Sequence, residues 1–147
     1  MIIKECIDSD EIRATFNIMK QLRSKLADEK NYLELVQRLQ KTEGYKLVAL
    51  FEDGNKCLVV AGFRIKHSLF SNGKPEMYIY DFVTDIASRS RGLGKEMFVW
   101  LKTECKKLGC TSITLDSGVQ RIEAHKFYYR EDMKLTSLHF AWFSSNE

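Results

Sequence analysis

The sequence has little proline and no long apolar run. Pro75 is the only proline, and no stretch approaches the roughly 20 apolar residues that a membrane-spanning helix needs. The four cysteines (Cys6, Cys57, Cys105 and Cys110) form no Cys-x-x-Cys pair and have no histidine nearby at metal-ligand spacing. These absences argue against a membrane partner, a zinc site and a redox motif, so we expect reduced thiols and no metal.

A basic run is also missing, although the formal net charge is +3. Arg89, Arg91 and Lys95 lie within seven residues of one another, and together they equal the whole positive excess. A local group of this kind favours one anionic ligand over a basic surface, so no nucleic-acid partner is expected.

The length and composition are those of an ordinary globular domain. A chain of 147 residues has the commonest domain size, and 44% hydrophobic with 29% charged residues is typical of a soluble protein. The apolar start, Met1–Glu5, is too short for a secretory signal and favours a first strand. We therefore expect a single domain spanning residues 1–147, located in the cytoplasm.

Helical spacing follows the first strand. Asp8 can cap a helix with Glu11 three positions later, and apolar residues then recur on one helical face as far as Leu26. Asn31 can cap a second helix, and Gly44 can end it in a left-handed conformation. The sequence thus predicts a helical hairpin.

The middle of the chain has the pattern of antiparallel strands. Tyr45–Phe51 and Cys57–His67 are separated by turn residues at Asp53–Asn55. A second turn at Ser71–Gly73 precedes Glu76–Thr84, whose aromatic and aliphatic residues suit a buried central strand. Three strands in succession are predicted here.

The rest of the chain alternates helices and strands. Gly92–Leu108 has the clearest helical period, and Gly109 ends it. Ser112–Asp116 is predicted as a short strand, Ile122–Arg130 as a helix and Leu135–Phe143 as a last strand. This element order predicts an α/β (mixed α+β) fold with a central mixed, mostly antiparallel sheet flanked by helices.

The loop from Arg89 to Lys95, Arg-Ser-Arg-Gly-Leu-Gly-Lys, stands where the central strand gives way to the longest helix. Unpaired N–H groups and the positive end of the helix dipole converge there, and glycines let a phosphate approach the backbone. A pyrophosphate cradle is one interpretation. The other is that Gly92 and Gly94 only shape the start of the helix, with the arginines in solvent.

Two familiar phosphate motifs are excluded by spacing. A Walker loop needs glycine where this chain has Arg89 and a hydroxyl where it has Glu96. The dinucleotide fingerprint needs a third glycine at Met97. A nucleotide triphosphatase and a nicotinamide enzyme are therefore disfavoured.

The pattern Arg-x-x-Gly-x-Gly at Arg89–Gly94, preceded by Asp81–Thr84, resembles the coenzyme A motif of the GNAT N-acetyltransferase superfamily. Ala124–Tyr128, Ala-His-Lys-Phe-Tyr, is similar to the later motif of that family. The resemblance implies a GNAT-like fold in which a splayed parallel strand pair binds acetyl-CoA. It also implies transfer of the acetyl group to a primary amine by direct attack in a ternary complex.

The resemblance implies roles for particular residues. It assigns Tyr128 as the general acid and leaves the base open between Asp81, placed slightly ahead, Glu76 and a chain of waters. Asp81 could instead orient the substrate or serve a structural role. The implied cofactor-binding residues are Val83, Thr84, Arg89, Arg91, Gly92, Leu93, Gly94 and Lys95.

Some positions depart from the family pattern. Ile86 stands where proline is frequent, Asp132-Met133 replaces Gly-Phe, and Arg121 takes a place often held by asparagine, which leaves contacts along the coenzyme's arm open. The tract from Leu115 to Tyr128 also resembles aminoalkylphosphonate N-acetyltransferases, whose substrates are small primary amines.

Several alternatives stay open at this point. A small-molecule amine acceptor is expected, with a protein lysine or N-terminus as an alternative. A coenzyme A-binding regulatory module without turnover is the competing function. His125 and His139 could each meet a substrate or satisfy a backbone carbonyl, and a homodimer is left open.

Overall fold

The computed structural model describes residues 1–145 and divides the chain into two compact units, Met1–Leu115 and the segment from Asp116 onward. The strands are β1 (Ile2–Glu5), β2 (Lys46–Glu52), β3 (Lys56–Lys66), β4 (Glu76–Thr84) and β5 (Ile113–Leu115). The α-helices are α1 (Ser9–Ala14), α2 (Phe16–Leu22), α3 (Glu29–Thr42), α4 (Leu93–Lys107) and α5 (Ile122–Arg130), and Ile86–Ser88 forms a short 3-10 turn.

The first unit contains a five-stranded sheet in the order β1-β2-β3-β4-β5. Neighbouring strands pair antiparallel from β1 to β4, whereas β4 and β5 are parallel and are joined through α4. A parallel pair needs such a crossover, because a hairpin can only reverse the chain. The predicted fold class, a mixed and mostly antiparallel sheet with flanking helices, is confirmed.

The predicted first helix is two helices. Asp8 does cap α1 in a capping box with Glu11, as the sequence indicates. At Thr15 the backbone N–H bonds to the carbonyl of Ile12 three residues back, and the Thr15 hydroxyl bonds to that carbonyl and to the Tyr32 hydroxyl. This buried hydroxyl pair fixes a tight turn between α1 and α2, so the prediction of one continuous helix was wrong.

The cap of α3 also differs from the prediction. Asp28, in extended conformation, accepts a hydrogen bond from the Asn31 N–H at 2.8 Å, so the helix begins at Glu29 and Asn31 lies inside it. Aspartate and asparagine cap a helix about equally well, and capping at Asp28 instead of Asn31 lets three further residues join the helix. Gly44 has a φ of +66° after the helix, as expected.

The core of the first unit lies on both faces of the sheet. One buried cluster joins α1, α2 and α3 to side chains of β2, β3 and β4. On the other face α4 contributes Leu93, Met97, Phe98 and Leu101, all buried, and the Phe98 ring lies 6.3 Å from that of Phe82. The sheet therefore lies between two helical layers, α1–α3 on one face and α4 on the other.

A bulge interrupts the pairing of β3 with β4. Gly62 pairs with Asp81 and Phe63 with Ile79, so Tyr80 is an extra residue on β4. An extra residue reverses the alternation of the strand, which turns Asp81 toward the α1–α3 face together with the buried Val83.

The predicted last strand, Leu135–Phe143, is absent. Across residues 134–143 the described chain forms neither helix nor strand, and its large apolar side chains are exposed. A strand exists only when a sheet edge accepts its hydrogen bonds, and alternating hydrophobicity cannot supply that edge. The prediction of a last strand at Leu135–Phe143 was therefore wrong.

Candidate active site

The parallel strand pair separates where the site lies. β5 pairs only with Met77–Ile79, whereas β4 continues to Thr84. The part of β4 from Tyr80 to Thr84 therefore has no strand on its β5 side among residues 1–145. Backbone groups at such an opening can pair with an extended ligand in place of a neighbouring strand.

The loop after β4 leads directly into α4. Gly92 is the N-cap residue, with a φ of +76°, and a Cβ built on it meets no atom within 4 Å. No side chain caps the helix, and the first helical bond runs from the Glu96 N–H to the Gly92 carbonyl. The N–H groups of Leu93, Gly94 and Lys95 thus have no intrahelical acceptor and can bind an anion.

Arg89 and Arg91 flank this helix start, and both are exposed. Arg89 Nε donates to the Thr84 carbonyl at 3.3 Å, which ties the loop to the end of β4. The Arg91 guanidinium lies 3.6 Å from the Glu52 carboxylate. An anion bound at the helix start would compete with Glu52 for the Arg91 guanidinium. The sequence did not indicate the contact between Arg91 and Glu52, because β2 is distant along the chain.

The predicted cofactor residues form one continuous feature. Val83 and Thr84 end β4, Arg89 and Arg91 lie in the loop, and Gly92 to Lys95 form the cap and first turn of α4. Glu76, by contrast, begins β4, roughly 20 Å from Val83 along an extended strand. This separation argues against Glu76 as a base near the opening.

Asp81 lies beside the opening, and each of its carboxylate oxygens accepts a hydrogen bond. Its Oδ2 accepts from the Tyr45 hydroxyl at 2.7 Å and its Oδ1 from Arg23 Nε at 2.9 Å. Arg23 also donates to the Tyr80 carbonyl at 2.6 Å, at the bulge. Burial, with the adjacent Asp81 charge, raises the pKa of Tyr45 well above its usual range, so its hydroxyl stays protonated and donating.

Tyr45 reaches Asp81 across Gly62. A Cβ built on Gly62 would overlap the Tyr45 phenol group, so only glycine leaves room for this ring. With both carboxylate oxygens occupied, Asp81 is held in place by one cation and one hydroxyl. The arrangement favours an orienting role for Asp81, one of the alternatives that the sequence left open.

Gln21 of α2 is a second polar contact that the sequence did not single out. Its side-chain amide donates to the Asp85 carboxylate at 2.9 Å and accepts from the Ile86 N–H at 2.9 Å. The end of α2 is thereby fixed to the segment that precedes the arginine loop. Neither Gln21 nor Arg23 belongs to a recognisable local pattern, because their partners are about 60 residues away.

Tyr128 lies on α5 in the second unit. Burial raises the pKa of Tyr128, with a smaller opposing effect from the Arg121 charge, so the phenol is protonated at neutral pH. The Phe127 ring packs against it with centroids 5.6 Å apart. The side chain can therefore serve as a proton donor but not as a base.

The two histidines of the second unit have local partners. A ring nitrogen of His125 lies 2.8 Å from the Gly118 carbonyl, and His139 Nδ1 lies 3.3 Å from the Asp116 carboxylate. For His125 this favours the structural alternative, satisfaction of a backbone carbonyl.

The cysteines are free thiols, and burial raises the pKa of each. For Cys6 and Cys57 the pKa reaches about 12, so neither supplies a thiolate nucleophile near neutral pH. Within residues 1–145 no three His, Cys, Asp or Glu side chains group as a metal site. No helix in this part of the chain has the length and hydropathy to cross a membrane.

The comparisons with known proteins agree on one family. Residues 12–132 match the acetyltransferase (GNAT) family. An uncharacterised N-acetyltransferase of Bacillus subtilis, YhdJ, is 30% identical over 126 residues, which cover 86% of each chain. Glucosamine-6-phosphate N-acetyltransferase from Arabidopsis thaliana is 20% identical, with a TM-score of 0.77 over 99% of this chain and 100% of the other. A GNAT family acetyltransferase from Staphylococcus aureus, also 20% identical, gives 0.80 over 97% of each.

Proposed function

The chain belongs to the GNAT family of acetyltransferases, and from that membership we propose that it transfers the acetyl group of acetyl-CoA to the primary amine of a small molecule by direct attack in a ternary complex. The observation that carries the proposal is the uncapped start of α4. Its left-handed Gly92, three free first-turn N–H groups and two adjacent arginines fit a pyrophosphate.

The coenzyme would use two neighbouring features of the first unit. Arg89, Arg91 and the N–H groups of Leu93 to Lys95 would hold the pyrophosphate. The unpaired edge of β4 near Val83 and Thr84 would bind the pantetheine arm through main-chain hydrogen bonds, with the thioester at the separation of β4 and β5. Main-chain donors at this edge could also stabilise the negative charge that develops on the thioester oxygen.

The chemistry is attack of the amine nitrogen on the thioester carbonyl carbon. A C–N bond forms, the C–S bond breaks, and the departing thiolate takes a proton. The resemblance of residues 124–128 to the family's later motif implies the Tyr128 hydroxyl as the donor of that proton, which solvent later restores. The proton of the acceptor ammonium is assigned to a chain of waters, with Asp81, which Arg23 and Tyr45 hold in place, orienting the substrate. The raised thiol pKa values support direct attack over a cysteine intermediate.

The acceptor is proposed to be a small amine that carries an anionic group. The Arg23 side chain is half exposed beside β4, so N–H groups not used by Asp81 and Tyr80 can meet such a group. The similarity of residues 115–128 to aminoalkylphosphonate N-acetyltransferases supports aminoalkylphosphonates as the first acceptors to assay. Amino acids, amino sugars and lysine peptides complete the panel.

The test is an acetyl-transfer assay on this panel, read by release of free thiol. We expect turnover with one class of amine, and binding of acetyl-CoA without any transfer would instead favour a regulatory coenzyme A-binding module. The double variant Arg89→Glu/Arg91→Glu should lower acetyl-CoA affinity roughly 100-fold or more, since each charge-assisted contact is lost.

The matched control is Arg38→Glu/Lys41→Glu, which makes the same charge change at two exposed positions of α3. It should bind acetyl-CoA as the wild type does. Undiminished affinity in the Arg89→Glu/Arg91→Glu variant would contradict the proposed pyrophosphate site.

A further inference from the structure

Two of the four cysteines lie side by side where α4 ends. Gly109, with a φ of +72°, follows the helix, and its N–H bonds to the Lys106 carbonyl. The Cys110 N–H bonds to the Cys105 carbonyl at 2.9 Å. These two bonds define a Schellman end, in which the side chains of the two outer residues contact each other. Both of those side chains are thiols here, so the helix end joins two cysteines that no short motif connects.

The two thiols are in direct contact. Cys105 Sγ lies 3.7 Å from the carbonyl oxygens of both Cys110 and Ser112. The Cys105 and Cys110 side chains are also within hydrogen-bond reach of each other. Because backbone hydrogen bonds already close this turn, a disulfide needs only the loss of the two thiol hydrogens and an approach of the two sulfur atoms.

The pair is accessible from one side. Cys110 is partly exposed, whereas Cys105 is buried. Burial raises the pKa of Cys110, and the hydrogen bond from Cys105 opposes that rise. For Cys105 both burial and the neighbouring Cys110 raise the pKa. Cys110 is therefore the thiol that meets a small reagent first, and Cys105 is the second thiol behind it.

Cys6 and Cys57 lack this arrangement. Both are buried, and each thiol donates to a nearby backbone carbonyl, Cys6 to Lys4 at 4.0 Å and Cys57 to Val59 at 3.7 Å. Their pKa values reach about 12, so their thiolates are scarce near neutral pH. These two cysteines are internal references for thiols that a small reagent does not reach in the folded chain.

We propose that Cys105 and Cys110 form a dithiol site that low-molecular-weight disulfides oxidise to an intramolecular disulfide. The Cys110 thiolate attacks one sulfur of the small disulfide, whose S–S bond breaks, and one small thiolate leaves and takes a proton from water. Cys105 then gives its proton to water and attacks Cys110 Sγ in the mixed disulfide, which expels the second small thiolate. The two cysteines lose two electrons and two protons, and the small disulfide is reduced to two thiols.

The disulfide closes the end of α4 at the point where the chain enters β5. The Thr111 N–H bonds to the Pro75 carbonyl, and the Met77 N–H bonds to the Ser112 carbonyl. The residues directly after Cys110 are thus already held to the start of β4. The site belongs to the first unit alone, and the coenzyme loop lies at the opposite end of α4.

The test exposes the folded protein to oxidised glutathione and maps its thiols by alkylation, trypsin digestion and mass spectrometry. Cleavage after lysine and arginine places each cysteine in a peptide of its own, residues 5–13, 57–64, 103–106 and 108–121. We expect the last two peptides to be joined with the loss of two hydrogens, and dithiothreitol should reverse the link. The other two peptides should stay fully alkylated as free thiols.

Two single variants separate the two roles. Cys105→Ser should stop at a mixed disulfide between Cys110 and glutathione, because no second thiol resolves it. Cys110→Ser should lose free thiol at least roughly 10-fold more slowly than the wild type, because the buried Cys105 is not reached. The matched control is Cys57→Ser, whose hydroxyl can still donate to the Val59 carbonyl, and it should form the link as the wild type does.

Phenylarsine oxide supplies a measurement on the unaltered protein, since its trivalent arsenic bridges two adjacent thiols. It should protect the peptides 103–106 and 108–121 from alkylation with one arsenic per chain. A wild type that keeps all its thiols free under oxidised glutathione, a link between any other pair, or no protection by the arsenical would each overturn the proposal. None of these measurements depends on acetyl-CoA, so failure here leaves the proposed acetyl transfer unaffected.

Discussion

At the scale of single residues, Asp81 illustrates what a local motif conveys and what it leaves out. Its place in the segment before the coenzyme loop made it a candidate, and its position on the face of Val83 is confirmed by its bond to Tyr45. Its partners Arg23 and Tyr45 were not predicted, because the contacts connect residues 58 and 36 positions apart. Whether a carboxylate is free or engaged depends on such long-range contacts.

Tyr128→Phe should lower turnover by a factor of roughly 100 or more while acetyl-CoA affinity is unchanged, because only the proton donor is removed. Burial raises the pKa of Tyr128, so its acid form persists above the usual pKa of 10.0. Wild-type turnover should therefore show no loss attributable to this group at neutral or mildly alkaline pH. The checks are steady-state kinetics across pH and binding calorimetry.

The control for this variant is Tyr129→Phe, which removes the hydroxyl of a neighbouring, exposed tyrosine. Its turnover should equal that of the wild type. A Tyr128→Phe enzyme with full turnover would remove Tyr128 from the mechanism.

At the scale of elements, local signals predicted the interiors of helices and strands better than their ends. β4 and α5 have the predicted bounds, because strand alternation and helical period act within each segment. The start of α3 and the break at Thr15 depended on a competition between capping groups and on a buried hydroxyl pair. Residues 135–143 were wrongly predicted as a strand, because alternating hydrophobicity does not supply the sheet edge that a strand needs.

The junction of β1 with α1 should make stability depend on acid pH. The Lys4 ammonium, 2.8 Å from Glu11, and the N–H groups of Ile7 and Asp8 lower the pKa of Glu11 from 4.5 to about 2. A lowered pKa stabilises the fold above pH 4.5, and this contribution is lost as the pH falls from 4.5 toward 2.

Glu11→Gln should therefore be less stable than the wild type at pH 7, and the difference should shrink as the pH approaches 2. Urea unfolding at several pH values measures it. Glu34→Gln, at an exposed position of α3, is the control and should change stability little. A constant difference between wild type and Glu11→Gln would refute the assigned ionisation.

At the scale of the molecule, the order of helices and strands along the chain was enough to predict the kind of sheet that forms. Three antiparallel strands followed by a strand–helix–strand crossover leave few ways to pair, and the observed order β1 to β5 is the simplest of them. The single predicted domain covering residues 1–147 stays a prediction. The structure describes two compact units, Met1–Leu115 and the segment from Asp116 onward.

Coenzyme A should stabilise the whole protein through the pyrophosphate. At a concentration 100 times its dissociation constant, a ligand of the native state adds about 2.7 kcal/mol, or roughly 5–10 °C in melting temperature for a chain of this size. Thermal unfolding with and without coenzyme A measures this shift. Pantetheine, which lacks the pyrophosphate, should give a much smaller shift at the same concentration, and equal shifts would contradict the α4 site.

The contact between Gly62 and Tyr45 limits which residues can replace either of them. A residue larger than glycine at position 62 is compatible with the fold only when position 45 holds a smaller side chain. That change would in turn leave Asp81 with Arg23 as its remaining partner at this point. The two positions should therefore change together among relatives, and a relative without the tyrosine should need another donor for the aspartate at position 81.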